Sequence, residues 1–191
     1  LGEPSPRDTV NAVAFSAATM LAQDPDAVLA VLTADQVIEP ADTFQNGLAT
    51  AYAAVEREPE ALLTFAIEPT FPATGYGWVE RREEIAPGVF AVDRFVEKPD
   101  LETATALLAD GGFGWNSGMF VFRADTFLSA MRRYFGEGVD RLIEIGKGWA
   151  EGRGTEVLAE HWETLPKKSI DYAVMEPVSY THLTLPTNGL V

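Results

Sequence analysis

Asn116 and Ser117 stand between aromatic and glycine neighbours in Phe113-Gly-Trp-Asn-Ser-Gly-Met-Phe120, at the entry to an apolar run. Glu97 and Lys98 close another run, Phe95-Val-Glu-Lys-Pro99, just before a chain-breaking proline. Polar side chains held at the mouths of buried strands can grip a sugar by its hydroxyls and its phosphate. Asn116 and Ser117 offer paired donors and acceptors, and Trp115 an apolar plate for a sugar ring. Successive residues on a strand point to opposite faces, so Glu97 and Lys98 are not expected to form one simple salt bridge. The natural division gives Glu97 the sugar hydroxyls and Lys98, as a point charge, the phosphate. Alone, the same residues also read as two solvated charges at a strand end and a β-bulge with a capped strand.

Two aspartates suggest a hard cation. Asp35 lies in Leu32-Thr-Ala-Asp-Gln-Val-Ile38, two residues past a continuous apolar run. In open α/β sheets ligands bind outside the carboxyl ends of such strands, where a carboxylate can hold Mg²⁺ against a substrate phosphate. Asp171 lies in Lys167-Lys-Ser-Ile-Asp-Tyr-Ala-Val-Met-Glu176, where Ser169 can cap a short helix with Asp171 in its first turn. Converging on one cleft, the two would suit such a cation better than either alone. A turn aspartate and a dipole-stabilised aspartate are the plainer alternatives. Thr74-Gly-Tyr-Gly-Trp-Val-Glu80 adds a tight glycine turn through which backbone amides can approach a ligand.

The elements that must position these residues follow from pattern. After the extended lead-in Leu1 to Pro6, Asp8 or Thr9 is expected to cap a helix to about Gln23, with Val10, Val13, Ala14, Ala17 and Leu21 on one face. Ala27-Val-Leu-Ala-Val-Leu-Thr33 is apolar without alternation, as suits a strand buried on both faces. A helix from about Ala41 to Glu58 precedes a second apolar strand, Leu62 to Ile67. This order implies right-handed crossovers and a doubly wound sheet. Partly alternating strands flank the Pro87-Gly88 turn, so the sheet should be mixed. A helix from about Leu101 to Ala109, the strand Ser117 to Arg123 and three amphipathic helical segments between about Asp125 and Trp162 complete the body.

Composition sets bounds. A chain of 191 residues accommodates one sizeable α/β domain. With 14 Lys and Arg against 29 Asp and Glu, the net charge of −15 disfavours a nucleic-acid backbone as partner. No apolar run approaches the ~20 residues of a membrane span, no secretory signal is visible, and there is no cysteine. A cytoplasmic protein is expected.

Six segments in order make the chain similar to the sugar-1-phosphate nucleotidylyltransferases, and within them to the mannose-1-phosphate guanylyltransferases. They are Glu3-Pro-x-x-Arg-Asp-Thr9, Leu32-Thr-Ala-Asp-x-x-Ile38, Pro69-Thr-x-Pro-x-Thr-Gly-Tyr-Gly77, Phe95-Val-Glu-Lys-Pro-Asp100, Trp115-Asn-Ser-Gly-Met-Phe120 and Ser169-Ile-Asp-Tyr-Ala-Val-Met-Glu176. The resemblance implies an α/β, Rossmann-like nucleotidyltransferase fold, truncated at its N-terminus, with a mixed, mainly parallel central sheet flanked by helices. It also implies transfer of a guanylyl group from GTP to mannose 1-phosphate, with Mg²⁺ as cofactor. Asp35 and Asp171 would be the metal ligands and, with Lys98, the catalytic set. Glu97, Asn116, Ser117 and the turn at Gly75 and Tyr76 would hold the sugar, and Lys98 its phosphate. Glu3, with Arg7 and Thr9 in the same segment, lies where the family reads the base. A homodimer is compatible with this reading. Related enzymes using glucose 1-phosphate with dTTP or UTP, and a non-catalytic nucleotide-sugar-binding homologue, are the alternatives.

The chain also departs from the family pattern. The family's glycine-rich loop precedes the segment where this sequence opens, and Val10-Asn11-Ala12 replaces the usual Ala-Pro-Ala. The sequence therefore reads as an internal fragment, with residues 1–177 as a partial catalytic domain, and is expected to be inactive as written. GDP-mannose formation by this polypeptide alone would contradict that expectation. Residues 178–191 show no helix cap and no convincing period; they resemble a translated sequencing adapter and are expected to be non-native.

Overall fold

The computed structural model of the protein describes residues 1–175 and 182–187. The expected boundary between residues 177 and 178 lies outside them. The chain forms two compact units, one of residues 1–29 and 123–177, the other of residues 30–122 and 178–191.

The first unit is helical. Helix α1 (Asp8–Leu21) and helices α4 (Ala124–Phe135), α5 (Glu137–Ala150) and α6 (Gly154–His161) build it. Its core centres on Phe15, which meets Trp149 edge-on at 5.4 Å and Trp162 at 5.8 Å between ring centroids. Such pairs add directional contact to ordinary apolar burial. Trp162 is fully buried, and its indole N–H donates to Ser5 O at 2.8 Å. Helices α1 and α5 approach closely because residue 146 has no side chain: a Cβ there would lie 2.4 Å from Ala18 O. Since backbone cannot swing aside, Gly146→Ala is expected to destabilise this unit by about 1–3 kcal/mol or more. Urea denaturation at an unchanged m-value checks it.

The expected cap of α1 takes another form. No side chain caps the helix. Asp8 sits at φ 65°, an uncommon left-handed setting for a residue with a side chain, and its Oδ1 accepts from the adjacent Thr9 N–H at 2.8 Å. Thr9 Oγ1 instead accepts from Ile170 N–H at 2.9 Å.

The second unit is built on a sheet. Strands β1 (Val28–Val31), β2 (Leu62–Ile67), β3 (Trp78–Ala86), β4 (Val89–Val96), β5 (Phe113–Arg123) and β6 (His182–Thr187) lie in the order β1-β5-β2-β6-β4-β3, and β5 also pairs with β3. Helices α2 (Ala41–Arg57) and α3 (Leu101–Asp110) belong to the same unit. Phe44 of α2 meets Phe65 of β2 at 6.3 Å. Ala104 and Leu107 of α3 pack into a cluster with Ala73, Trp78, Phe113 and Trp115. Asp100 caps α3, accepting from Thr103 N–H at 2.8 Å, and hydrogen bonding from the Thr103 side chain, with this backbone bond second, holds its carboxyl below the usual carboxylate range.

The sheet is mixed, but it is not mainly parallel as the sequence implied. Among the pairings with described register, β2 with β6 is parallel, whereas β2–β5, β3–β4, β3–β5 and β4–β6 are antiparallel. The helix–strand alternation of residues 8–67 suggested neighbouring parallel strands. In the fold β5 lies between β1 and β2, and the Pro87-Gly88 turn makes β3 and β4 a hairpin. Strand β1 also differs from expectation. It is half-buried throughout because it ends the strand order, whereas β2, an interior strand, is buried over Leu62–Ala66. Strand β6 arises in the tail where the sequence shows no period. Backbone ladders with β2, from Leu62↔His182 to Ile67↔Thr187, and with β4 make it; such ladders need no side-chain pattern.

Candidate functional site

Three of the sequence motifs meet in the second unit, and glycine makes the meeting possible. Gly77 N-terminally borders β3, and its carbonyl accepts from Asn116 N–H at 2.8 Å. A Cβ on residue 77 would lie 2.7 Å from Glu97 Oε2, 2.8 Å from Phe95 Cζ and 3.4 Å from Asn116 Cβ. Gly77 is thus the point where the glycine turn, the end of β4 and the middle of β5 touch. The sequence reading singled out Gly75, yet a Cβ there would meet no heavy atom within 4 Å. The second glycine of the pair carries the steric demand.

Glu97 is the buried partner of this cluster, its side chain 6% exposed, and its Oε1 lies 2.9 Å from Lys98 Nζ. This overturns the expectation that the two would point apart. Strand β4 ends at Val96, and Lys98 adopts φ 43°, a left-handed setting that breaks strand alternation and turns both side chains to one side. Such backbone settings are costly for a residue with a Cβ and recur at functional sites. The ammonium remains 58% exposed, so a phosphate can reach it while the carboxylate stays enclosed.

Asn116 and Ser117 lie inside β5 rather than at a strand entry. Between Thr64↔Phe120 and Ala66↔Asn116 the register shifts, so two steps on β2 face four on β5. Gly118 accommodates this bulge at φ 73°. Ser117 is buried; its Oγ accepts from Met119 N–H at 3.2 Å, and its carbonyl accepts from Gln36 Nε2 at 2.9 Å. Its hydroxyl therefore serves the bulge. Asn116 is half-buried, with its carboxamide oxygen turned into the bulge toward Gly118 N–H and Thr64 Oγ1.

An aromatic group borders the cluster. Trp115 is only 8% exposed and is met edge-on by Phe71 at 4.8 Å, Tyr76 at 5.3 Å and Trp78 at 6.2 Å. It is therefore not the open plate the sequence suggested. Tyr76 and Phe71, each about half exposed, are the rings available at this border.

The other expected residues fall elsewhere. Asp35 is exposed and follows β1 in the second unit. Asp171 belongs to the first unit, where it opens a single π turn over Asp171–Met175; Ser169 Oγ accepts from Tyr172 N–H at 3.4 Å, as the sequence anticipated for that cap. Glu3 is exposed in the first unit. In the same unit Arg7 donates to Leu165 O at 2.8 Å and Glu163 O at 2.6 Å, and pairs with the Glu163 carboxylate. Hydrogen bonds from Ser5 and Arg7 hold Glu163 below the ordinary carboxylate range. Arg7 and Thr9 thus tie the N-terminal lead-in to residues 163–170.

Among the described residues no group of three or more His, Cys, Asp or Glu side chains forms a metal cage. No helix among them is long and apolar enough to cross a membrane.

The nucleotidyl transferase family model matches residues 1–148. The chain is 39% identical over 184 residues to mannose-1-phosphate guanylyltransferase of Escherichia coli (strain K12), covering 91% of this chain and 37% of that protein. Over 177 residues it is 39% identical to mannose-1-phosphate guanylyltransferase of Sinorhizobium fredii (strain NBRC 101917 / NGR234), covering 91% and 34%. The solved structure of mannose-1-phosphate geranyltransferase from Thermus thermophilus is similar with a TM-score of 0.83 at 29% identity, covering 99% of this chain and 52% of that one. The chain spans little more than a third of the length of these curated relatives.

Proposed function

The chain belongs to the nucleotidyl transferase family, and from that premise we propose that the full-length protein transfers a guanylyl group from GTP to mannose 1-phosphate. A phosphate oxygen of the sugar phosphate attacks the α-phosphorus of GTP. The new oxygen–phosphorus bond forms as the bond to the bridging oxygen breaks, giving GDP-mannose and pyrophosphate. Catalysis of this kind needs positioning and charge stabilisation more than a general base.

The observation that carries the reading is the meeting of Gly77, Glu97 and Asn116, with Lys98 beside them. An enclosed carboxylate suits sugar hydroxyls, which donate to it, and a carboxamide can both donate and accept. An exposed ammonium suits the phosphate. On this reading the Glu97–Lys98 pair is a resting arrangement, and the incoming phosphate draws Lys98 while Glu97 turns to the hydroxyls. Tyr76 borders the acceptor. Asp35 and Asp171 each offer hard oxygen donors to Mg²⁺, which when bound neutralises charge developing on the phosphates. The base-reading role expected for Glu3 is retained in the proposal; Arg7 and Thr9 support that segment through the bonds described above. A nucleoside triphosphate substrate suits a protein of the cytoplasm.

The test is a matrix of nucleotide triphosphates and sugar 1-phosphates presented to the full-length protein with Mg²⁺. GTP with mannose 1-phosphate is expected to exceed UTP or dTTP with glucose 1-phosphate by ~10²-fold or more in kcat/KM, as hydrogen-bonding sites discriminate strongly. Preference for glucose 1-phosphate would place the protein in another branch of the family. No turnover with any pair would favour a binding role.

A further inference from the structure

We propose that the indole N–H of Trp115 is a specificity-determining donor to one hydroxyl oxygen of the acceptor sugar, reached past the half-exposed rings of Phe71 and Tyr76; this rests on the assignment of the adjoining Gly77, Glu97 and Asn116 to the acceptor site. Trp115 Nε1 is buried and meets no hydrogen-bond acceptor among the described residues. An indole N–H only donates, so nothing but an acceptor satisfies it. Burying it without one is unfavourable, and buried polar groups left unpaired are rare in folded proteins. Trp78, packed in the same cluster, shows the ordinary solution: its N–H donates to Ala73 O at 2.9 Å. Phe113, two positions before Trp115 on β5, fills its share of the cluster with no polar side-chain atom at all. The N–H of Trp115 is a cost that packing alone does not explain.

The surroundings indicate what would pair with it. The side chains clustered with Trp115 are Ala73, Trp78, Ala104, Leu107 and Phe113, none of which offers an acceptor atom. A lone buried water needs about 2–4 polar partners, and these side chains supply no uncommitted one besides this N–H. Of the three rings against Trp115, Trp78 is fully buried and held by its own bond, whereas Phe71 and Tyr76 reach solvent. Both lie in residues 68–77, which join β2 to β3 without helix or strand, and a Cβ on Gly75 between them would meet nothing within 4 Å. A ligand therefore approaches the N–H past these two rings. A phosphate would lose its hydration there, and Lys98 is exposed to receive it. A hexose suits the approach, with its C–H faces against the rings and a hydroxyl oxygen accepting from the indole. Tyr76 adjoins Gly77 and Trp115 adjoins Asn116 in the chain, so one sugar can span the aromatic group and the polar cluster.

Trp115→Phe keeps an aromatic side chain and removes the N–H, and the benzothiophene analogue of tryptophan placed at the same position removes it with the two-ring outline kept. In the full-length protein each is expected to raise KM for mannose 1-phosphate ~10-fold, the scale of one lost buried hydrogen bond. KM for GTP should stay within about twofold. Mannose 1-phosphates lacking one hydroxyl each give a readout that packing alone does not move. With the wild-type protein, loss of the hydroxyl that accepts the N–H should cost ~10-fold or more in kcat/KM, and with the analogue in place that penalty should shrink by ~10-fold, because the partner is already gone. An unchanged sugar KM in both variants, a parallel rise in both KM values, a rise confined to GTP, or deoxy-sugar penalties that are the same in wild type and variant would each overturn the proposal. Should Trp115→Phe not fold, the analogue carries the same comparison. A wild-type protein that does not use mannose 1-phosphate contradicts the proposed function instead, and the Trp115 series is then read on the sugar phosphate it does use.

Discussion

Gly77→Ala in the full-length protein is expected to lower kcat/KM for mannose 1-phosphate ~10²-fold or more while leaving KM for GTP within about twofold, since a shift of about 1 Å in a positioning group has that scale of effect. The added methyl would lie 2.7 Å from Glu97 Oε2 and 2.8 Å from Phe95 Cζ. The packed Phe95 ring has little room to move, so the Glu97 carboxylate, at the tip of a flexible side chain, is the group that must shift. Phe95 is 6% exposed and the Glu97 side chain likewise. The methyl must therefore displace the carboxylate proposed to hold the sugar, and the same crowding should destabilise the fold by about 1–3 kcal/mol. Gly75→Ala is the matched control, because a methyl there meets nothing within 4 Å. Steady-state kinetics on both variants separates the effects. Equal activity in the two would mean that the meeting of the three motifs at Gly77 is not where the acceptor binds.

Asp35→Asn is expected to reduce kcat ~10³-fold, as loss of an anionic metal ligand removes several kcal/mol of charge stabilisation at the phosphates. The change is nearly isosteric and the site is exposed, so stability should move by no more than about 0.5 kcal/mol. Raising Mg²⁺ should recover part of the rate if the carboxylate acts on metal affinity. Asp171→Asn should behave alike. The check is kcat across a Mg²⁺ titration beside a thermal melt. Turnover of Asp35→Asn within tenfold of wild type at saturating Mg²⁺ would remove Asp35 from the metal-binding role.

Much of the local structure follows from pattern. The run Leu62–Ile67 is a buried interior strand because every residue suits burial on both faces, and Thr64 is tolerated through its hydrogen bonds. The Pro87-Gly88 turn places a hairpin where the alternating segments predicted one. Helix α2 begins at Ala41, as the sequence suggests, and ends at Arg57, one residue short of the expected Glu58. Strand order was beyond periodicity. Nothing in Phe113–Arg123 announces that it will lie between β1 and β2, antiparallel to β2, because that depends on pairings distant in sequence.

The candidate site was legible as residue types but not as geometry. Glu97, Lys98 and Asn116 stand out from the sequence as polar residues in apolar surroundings. The Glu97–Lys98 pairing does not, since alternation predicts the opposite and only the left-handed backbone at Lys98 reverses it. Trp115 looked like an exposed plate, yet three aromatic neighbours enclose it. Gly77 was visible as half of a glycine pair, but which glycine is sterically required depends on what crosses behind it. Thr64 carried one signal, a hydroxyl inside an apolar strand, and its partner lies 52 positions away.

The most direct test of the acceptor assignment is a crystal structure of the full-length protein with mannose 1-phosphate. Sugar hydroxyls within hydrogen-bond distance of the Glu97 carboxylate and Asn116 Nδ2, with the phosphate on Lys98 and the Glu97–Lys98 pair opened, are the predicted result. Mannose 1-phosphate bound elsewhere, with Gly77, Glu97 and Asn116 out of its reach and the Glu97–Lys98 pair intact, would contradict it.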